Sequence, residues 1–142
     1  MELKIHNFPS RLNGDEKQWV SLAASVVEEL QLPMQSLNIV FTDDETLQQM
    51  HAQYLKDPSK TDVITFDLSD DENMEGEIYI SIDRAEDQAR TYSVTTEEEV
   101  LRLIIHGLLH LKGYDDLQEE ARQVMKAQED RLVTRFREKL NA

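Results

Sequence analysis

Apolar and polar positions follow two different periods along this chain, and the changes of period predict its elements. Strand-type alternation occurs in four segments: residues 3–8, 37–41, 61–66 and 76–82. Helical spacing of apolar residues occurs in four others: residues 15–30, 42–55, 83–92 and 117–140. A further helix containing residues 101–112 is apolar on nearly every face, so we expect it at the centre of the domain. The order β-α-β-α-β-β-α-α-α predicts an α+β fold, with a small mixed four-stranded sheet packed on helices.

Capping signals predict where two of these helices begin and where the central one ends. Residues 42–45 have the Thr-x-x-Glu form of a capping box, so Thr42 is expected to begin the second helix. Either Thr95 or Thr96 can cap the central helix, because each has a glutamate three residues later. Gly113 is expected to end that helix, since glycine adopts the left-handed conformation without steric cost.

Two histidines, His106 and His110, stand four residues apart in the central helix. At about 3.6 residues per turn both imidazoles fall on one face, where they can bind one metal ion together. A lone histidine among leucines is usually a hydrogen-bonded core residue, but a buried pair at ligand spacing favours a metal site, because a metal satisfies the ring nitrogens. Beyond the Gly113 turn, Asp115 or Asp116 can add a carboxylate ligand. The pattern is His-x3-His-x5-Asp if that ligand is Asp116.

Gly107 lies between the two histidines and bears on both packing and chemistry. A glycine inside a helix costs about 1 kcal/mol relative to alanine, which predicts that another backbone passes close by. In the His-Glu-x-x-His motif of metalloproteases, this position carries the glutamate that acts as general base. We therefore expect a zincin-like metal-binding helix that does not perform proteolysis.

A divalent ion with three protein ligands keeps open positions for water and substrate. The metal acidifies its water into a nucleophile near neutral pH, and the same ion can stabilise charge on a phosphoryl oxygen. Phosphodiester hydrolysis also needs cations that accept the charge of the substrate. Lys56, Lys60 and Arg84 are the candidates, the two lysines from their loop position alone, where solvated surface charge is the more common role of a lysine.

Composition limits the classes of partner. The 142 residues suit one domain, residues 1–142, and 15 basic against 29 acidic residues give a formal net charge of -14. This charge argues against general polyanion binding and against DNA as a partner, although a local basic patch or a metal ion can still create a phosphate site. The chain has no cysteine, which excludes disulfides and thiolate ligands. With no apolar signal core and no run near the roughly 20 apolar residues of a membrane span, we expect a cytoplasmic protein without a membrane partner.

Three segments carry a resemblance to a known family. Residues 106–116 read His-Gly-Leu-Leu-His-Leu-Lys-Gly-Tyr-Asp-Asp, which resembles the signature His-Gly-x-Leu-His-Leu-x-Gly-Tyr-Asp-His of the YbeY family of bacterial rRNA maturation factors, metal-dependent endoribonucleases. Tyr54 with residues 61–66 resembles the family's Tyr-Arg segment and its Thr-Asp-Val-Leu-Ser-Phe strand. Residues 76–81 resemble its Gly-Asp-Ile-x-Ile-Ser strand. The similarity spans roughly residues 42–129.

The resemblance implies one divalent ion, zinc in the family, held here by His106, His110 and Asp116. It also implies single-strand-specific cleavage in ribosomal RNA maturation and quality control, notably at the small-subunit 3′ end, with the small ribosomal subunit as partner. Two departures matter. Asp116 replaces the family's third histidine, and two imidazoles with a carboxylate also suit iron or manganese. Leu55 falls where the family commonly has an arginine, whose charge Lys56 or Lys60 can supply.

Two other functions are compatible with the same residues. One is a ribosome-assembly factor with a structural metal that binds RNA or protein without cutting. The other is a metal-dependent hydrolase of a different substrate.

Overall fold

The computed structural model describes residues 1–55, 61–115 and 117–141. Its strands are β1 (Glu2–His6), β2 (Met34–Thr42), β3 (Val63–Asp67) and β4 (Met74–Ser81). Its helices are α1 (Glu16–Glu29), α2 (Asp44–Leu55), α3 (Ile82–Tyr92), α4 (Thr96–Lys112) and α5 (Glu119–Phe136), and a 3₁₀ helix, Arg137–Asn141, follows α5. Each strand and helix predicted from the sequence is present, with shifted ends.

The four strands form one mixed sheet in the order β1-β2-β4-β3. β1 runs parallel to β2 and β2 runs parallel to β4, whereas β3 pairs antiparallel with β4. A hairpin joins β3 to β4, where the Leu68 amide donates to the Glu75 carbonyl over 2.9 Å. The predicted α+β fold with a small mixed four-stranded sheet is confirmed, and β3 lies at one edge of that sheet.

α4 is the central element of the core. It packs against β3, β4, α1, α3 and α5, and its buried residues cover most of its circumference. The core that it shares with the sheet includes fully buried side chains from both, among them Leu101, Ile104, Leu108, Ile39 and Ile78. The buried central helix predicted from its apolar pattern is therefore confirmed.

Gly107 marks the closest approach of α4 to the sheet. A Cβ atom at this position would lie 2.8 Å from Cδ1 of Ile78 and 3.0 Å from Oγ1 of Thr65, two residues paired in the β3–β4 register. The predicted close approach is present, but side chains of the sheet make it, not a backbone. A side chain at this position, such as the glutamate of a metalloprotease, would have to displace Ile78 and Thr65.

The helix ends follow the predicted capping chemistry with one exception. Thr95 caps α4, accepting a hydrogen bond from the Glu98 amide over 3.0 Å. Gly113 ends α4 with φ of 115°, and its amide donates to carbonyls in the last turn. The capping box at Thr42 is wrong, because Asp43 accepts from the Thr46 amide over 2.7 Å and so caps α2. None of the described helices is long and apolar enough to cross a membrane.

Candidate metal centre

The two histidines of α4 bring their ring nitrogens together. Nε2 of His106 and Nε2 of His110 lie 3.2 Å apart, and the two rings meet edge to face with their centroids separated by 4.8 Å. The rigid helical turn between them sets this separation, since residues four apart share one face. The side chain of His106 is 25% exposed, so the pair lies at the margin of the core and not inside it.

Glu129 of α5 fixes the tautomer of His106. Its Oε2 lies 2.9 Å from Nδ1 of His106. An ionised carboxylate can only accept a hydrogen bond, so Nδ1 carries the proton and Nε2 presents its lone pair towards His110. Carboxylates hold metal-binding histidines in this way, and they also raise the basicity of the nitrogen that binds the metal.

Arg102 extends this chain of contacts along α4. Its Nη1 donates to Oε1 of Glu129 over 3.1 Å and to Oδ1 of Asp130 over 2.8 Å. Burial by itself would raise the pKa of Glu129, but the hydrogen bonds and charges of His106 and Arg102 outweigh it and hold that pKa below its ordinary value. Glu129 is therefore held as the anion that His106 requires.

The third predicted ligand cannot be placed. Asp116 lies outside the described residues. The alternative, Asp115, is exposed, and its Oδ1 accepts from the Leu117 amide over 3.2 Å. Within the described part of the chain, no group of three or more His, Cys, Asp or Glu residues is arranged to hold a metal ion, so Asp115 does not complete a site with the histidines.

The described residues nevertheless fit a divalent ion in two respects: the separation of the two ring nitrogens and the carboxylate bonded to His106. Two nitrogens bound to zinc at about 2.0–2.1 Å in tetrahedral geometry are separated by about 3.3 Å. The observed Nε2 separation is 3.2 Å. Both donors are imidazoles, and Glu129 supplies the outer carboxylate that such sites use. This arrangement suits zinc, iron or manganese.

Two open spaces meet at His106. A groove of about 720 Å³ runs along edge strand β3 and is bordered by His106, His110 and Thr65. A cavity of about 520 Å³ lies on the other side and is lined by residues of α3, α4 and α5. Asp62 and His106 border both spaces, so the groove and the cavity are adjacent at the histidine pair.

Of the three cations predicted to bind substrate, Arg84 is the one within the described residues. Lys56 and Lys60 lie outside the described residues. Arg84 forms a two-pronged contact with Asp44, with Nε and Nη2 each donating to one carboxylate oxygen at 3.2 and 3.0 Å. It does not line either space, so its position argues against a substrate role. The cations that do line the cavity are Arg102, Arg122 and Lys126.

The sequence interpretation missed the supporting residues of the site. Glu99, Arg102, His106 and His110 form a polar stripe at helical spacing within residues 99–111 of α4, whose other members are apolar, and this signal is visible in the sequence. Glu129 interrupts the buried stripe of α5 in the same way, four residues from both Met125 and Val133. A polar residue at a core position of a helix is the signal that would have found both groups.

Comparison with known proteins agrees with this architecture. The family model described as Endoribonuclease YbeY matches residues 4–137. An Endoribonuclease YbeY from Flavobacterium johnsoniae is 33% identical over 132 residues, which cover 92% of this chain and 94% of that protein. One from Chlorobaculum tepidum is 34% identical over 137 residues, covering 96% of this chain and 99% of that protein.

A solved structure shares the fold. The solution structure of a Thermotoga maritima protein superposes with a TM-score of 0.61 at 25% sequence identity, covering 97% of this chain and 88% of the other. The family model matches nearly the whole chain, and the two relatives align over nearly their full length. This chain therefore belongs to the endoribonuclease YbeY family.

Proposed function

We propose that this protein is a metal-dependent, single-strand-specific endoribonuclease that matures ribosomal RNA at the 3′ end of the small-subunit RNA. Under this proposal it acts in the cytoplasm, its partner is the small ribosomal subunit, and its cofactor is one divalent ion, zinc before iron or manganese. The observation that carries the proposal is the pair of Nε2 atoms of His106 and His110, which lie 3.2 Å apart in a chain of this family. Glu129 supports the pair through its hydrogen bond with Nδ1 of His106.

His106, His110 and Asp116 would hold the ion. Bound there, a divalent ion supplies Lewis acidity to a water molecule and to a phosphoryl oxygen. Glu129 keeps the proton of His106 on Nδ1, so that the lone pair of Nε2 can coordinate the ion. Arg102 keeps Glu129 ionised while it does so.

The surroundings of the pair suit RNA better than a peptide. Gly107 offers no general base next to His106, and a side chain there would have to displace Ile78 and Thr65. Arg122 and Lys126 lie on the α5 wall of the cavity, where Arg122 pairs with Glu119 and Lys126 with Asp130, each at 3.3 Å. Under this proposal a phosphate competes with these exposed carboxylates for the two cations.

The direct test measures cleavage and metal content together. Purified protein loaded with zinc, iron or manganese is incubated with small-subunit rRNA precursor, and elemental analysis gives the bound metal per chain. We expect the loaded wild type to cut, and His110→Ala to lose both metal and cleavage. Equal background cleavage by wild type and variant, after contaminating nucleases are removed, would overturn the proposal. Binding to the ribosomal subunit without cleavage would favour an assembly factor instead.

A matched pair of substitutions tests the third ligand. Asp116→Ala should lower zinc affinity by orders of magnitude, whereas Asp115→Ala should leave it nearly unchanged, since Asp115 bonds only to its own turn among the described contacts. Competition with a chromogenic chelator measures both. The reverse order of effects would assign the ligand to Asp115.

A further inference from the structure

The polar stripe of α4 continues beyond the metal centre to Glu99. Glu99 lies seven residues before His106, which is two helical turns or about 10 Å along the axis. That span is on the order of one nucleotide, from its phosphate to the far edge of its base. Glu99 lines the cavity that His106 also borders. The stripe thus joins the metal centre to a second polar group inside the same space.

Glu99 is buried, and one of its carboxyl oxygens has no hydrogen-bonding partner in the described part of the chain. It is 3% exposed, and its Oε1 forms no hydrogen bond within the described residues. Nε of Arg102 is 3.8 Å from Oε1, close enough to attract but too far for a hydrogen bond. Burial raises the pKa of Glu99 to about 7, against the opposing charge of Arg102. A buried carboxyl in this state is costly unless a ligand donates to it.

The cavity around Glu99 has the size and polarity of a nucleotide site. Its volume of about 520 Å³ falls within the range of small-molecule pockets, about 300–1,000 Å³. Tyr92, which is 68% exposed, lies at its border and can offer a ring for stacking. Arg122 and Lys126 occupy the α5 wall, where a phosphate can exchange for their exposed ion-pair partners, Glu119 and Asp130.

We propose that this cavity binds one nucleobase of the RNA next to the cleaved phosphodiester, with Glu99 accepting hydrogen bonds from the N–H groups on the edge of the base and guanine as the preferred base. Guanine presents two adjacent donors, N1–H and the N2 amino group, which one carboxylate can accept together. The other bases present at most one donor position beside an acceptor. This inference rests on the proposed ribonuclease function, which it deepens by naming a base-recognition residue.

A second metal ion is a weaker occupant of the same cavity. Asp62 and Glu129 also line it, but Glu129 is already bonded to His106 and Arg102, and Asp62 accepts from Gln88 over 3.0 Å. The Arg102 guanidinium would also repel a cation there. No group of three acidic or histidine residues in the described ranges is arranged to hold an ion.

The test compares guanine with hypoxanthine, which lacks only the N2 amino group. Guanosine 5′-monophosphate and inosine 5′-monophosphate are titrated calorimetrically into zinc-loaded full-length protein. RNAs with guanosine or inosine at each position flanking the cut are cleaved in parallel. We expect wild type to prefer guanine about tenfold or more in both assays, the effect of one hydrogen bond to a charged acceptor. Glu99→Gln should reduce that preference to about twofold or less.

Two variants keep the test decisive. Glu98→Gln removes the same charge from the neighbouring residue, whose carboxylate is 3.9 Å from Arg137 and does not line the cavity, and it should keep the guanine preference. Tyr92→Ala, at an exposed position, should weaken binding of both nucleotides by about fivefold or more while the protein stays folded. It therefore reports on the cavity even if Glu99→Gln does not fold.

The outcomes separate this inference from the proposed function. If wild type shows no guanine preference in either assay, or Glu99→Gln retains it, the base-recognition role is overturned even when RNA is cut. If the nucleotides bind with the expected preference but no RNA is cut, the ribonuclease function fails and the base site stands. A guanine preference that both Glu99→Gln and Glu98→Gln abolish equally also overturns the assignment to Glu99.

Discussion

Glu99 and Glu129 are buried carboxylates that both lie against Arg102, yet their pKa values move in opposite directions. Glu129 bonds to His106 and Arg102, and these contacts lower its pKa despite burial. Glu99 has an oxygen without a hydrogen bond among the described residues, and burial raises its pKa to about 7. The contrast teaches that burial alone does not decide the charge of a carboxyl. Hydrogen bonds to the charged form decide it.

The two carboxylates accordingly suit different tasks. Glu129 is committed to partners within the protein, so it can hold His106 in one orientation. Glu99 has one oxygen that no described residue bonds, so it can accept a hydrogen bond from a ligand. Substitutions around Arg102 test this division.

The largest expected effect is from Glu129→Ala. It leaves His106 and Arg102 without the carboxylate between them, and breaking such a buried pair costs about 3–5 kcal/mol. Zinc affinity should fall about 10–100-fold, because His106 loses its outer-sphere partner. Chemical unfolding and chelator competition measure the two losses. Unchanged zinc affinity in a folded Glu129→Ala protein would remove Glu129 from the metal centre.

Glu99→Gln should change the free energy of unfolding in the opposite direction and stabilise the folded protein at alkaline pH. The folded carboxyl has a pKa of about 7 against 4.5 ordinarily, so between these pH values the folded state binds more protons than the unfolded state. Stability from this group is therefore lost as pH rises from about 4.5 to about 7, with a total cost of about 3 kcal/mol at most. Glu99→Gln should match wild type near pH 4.5 and be more stable at pH 8. Urea unfolding across this range measures the difference, and a constant difference would contradict the raised pKa.

Arg102→Met removes the cation that the two carboxylates share. It loses hydrogen bonds to Glu129 and Asp130, which should cost about 2 kcal/mol. Arg102 also lowers the pKa of Glu99, so that pKa should rise further in the variant. Carbon-detected NMR titration of the Glu99 carboxyl provides the measurement. An unchanged Glu99 pKa would show that the ion pair at 3.8 Å has no influence, and a fall would contradict the prediction.

Asp130→Asn should have the smallest effect. Asp130 bonds to the same guanidinium, but its side chain is 52% exposed, and exposed ion pairs contribute about 0.5 kcal/mol. Its loss should hardly change unfolding or zinc affinity. An effect as large as that of Glu129→Ala would mean that Arg102, not Glu129, is the main support of the centre.

Much of the fold follows from local patterns in the chain. The apolar circumference of α4, the Thr95 cap and the Gly113 stop are local properties, and each is confirmed. The predicted cap of α2 is wrong because Thr42 and Asp43 can both cap a helix, and the choice between them depends on where β2 ends. Helix ends of this kind depend on the neighbouring elements as well as on the sequence.

The substrate cations show the limit of local reasoning. Arg84 was a candidate because of its position after β4, but Asp44, forty residues earlier in the chain, occupies its guanidinium. Arg122 and Lys126 drew no attention because they lie on a polar helix face, and only the packing of α5 against α4 brings them to the cavity.

The sequence by itself determined the two imidazoles on one helical turn, because the geometry of a helix places residues four apart on one face whatever surrounds it. It also determined the glycines that let this helix meet the sheet and then end. Only the tertiary structure decided that Glu129 supports His106, while one oxygen of Glu99 has no hydrogen bond to any residue that the structure describes. The bonding of these two glutamates depends on burial and on contacts between α4 and α5, which join residues 23 or more positions apart. The local spacing of residues in the sequence does not encode either.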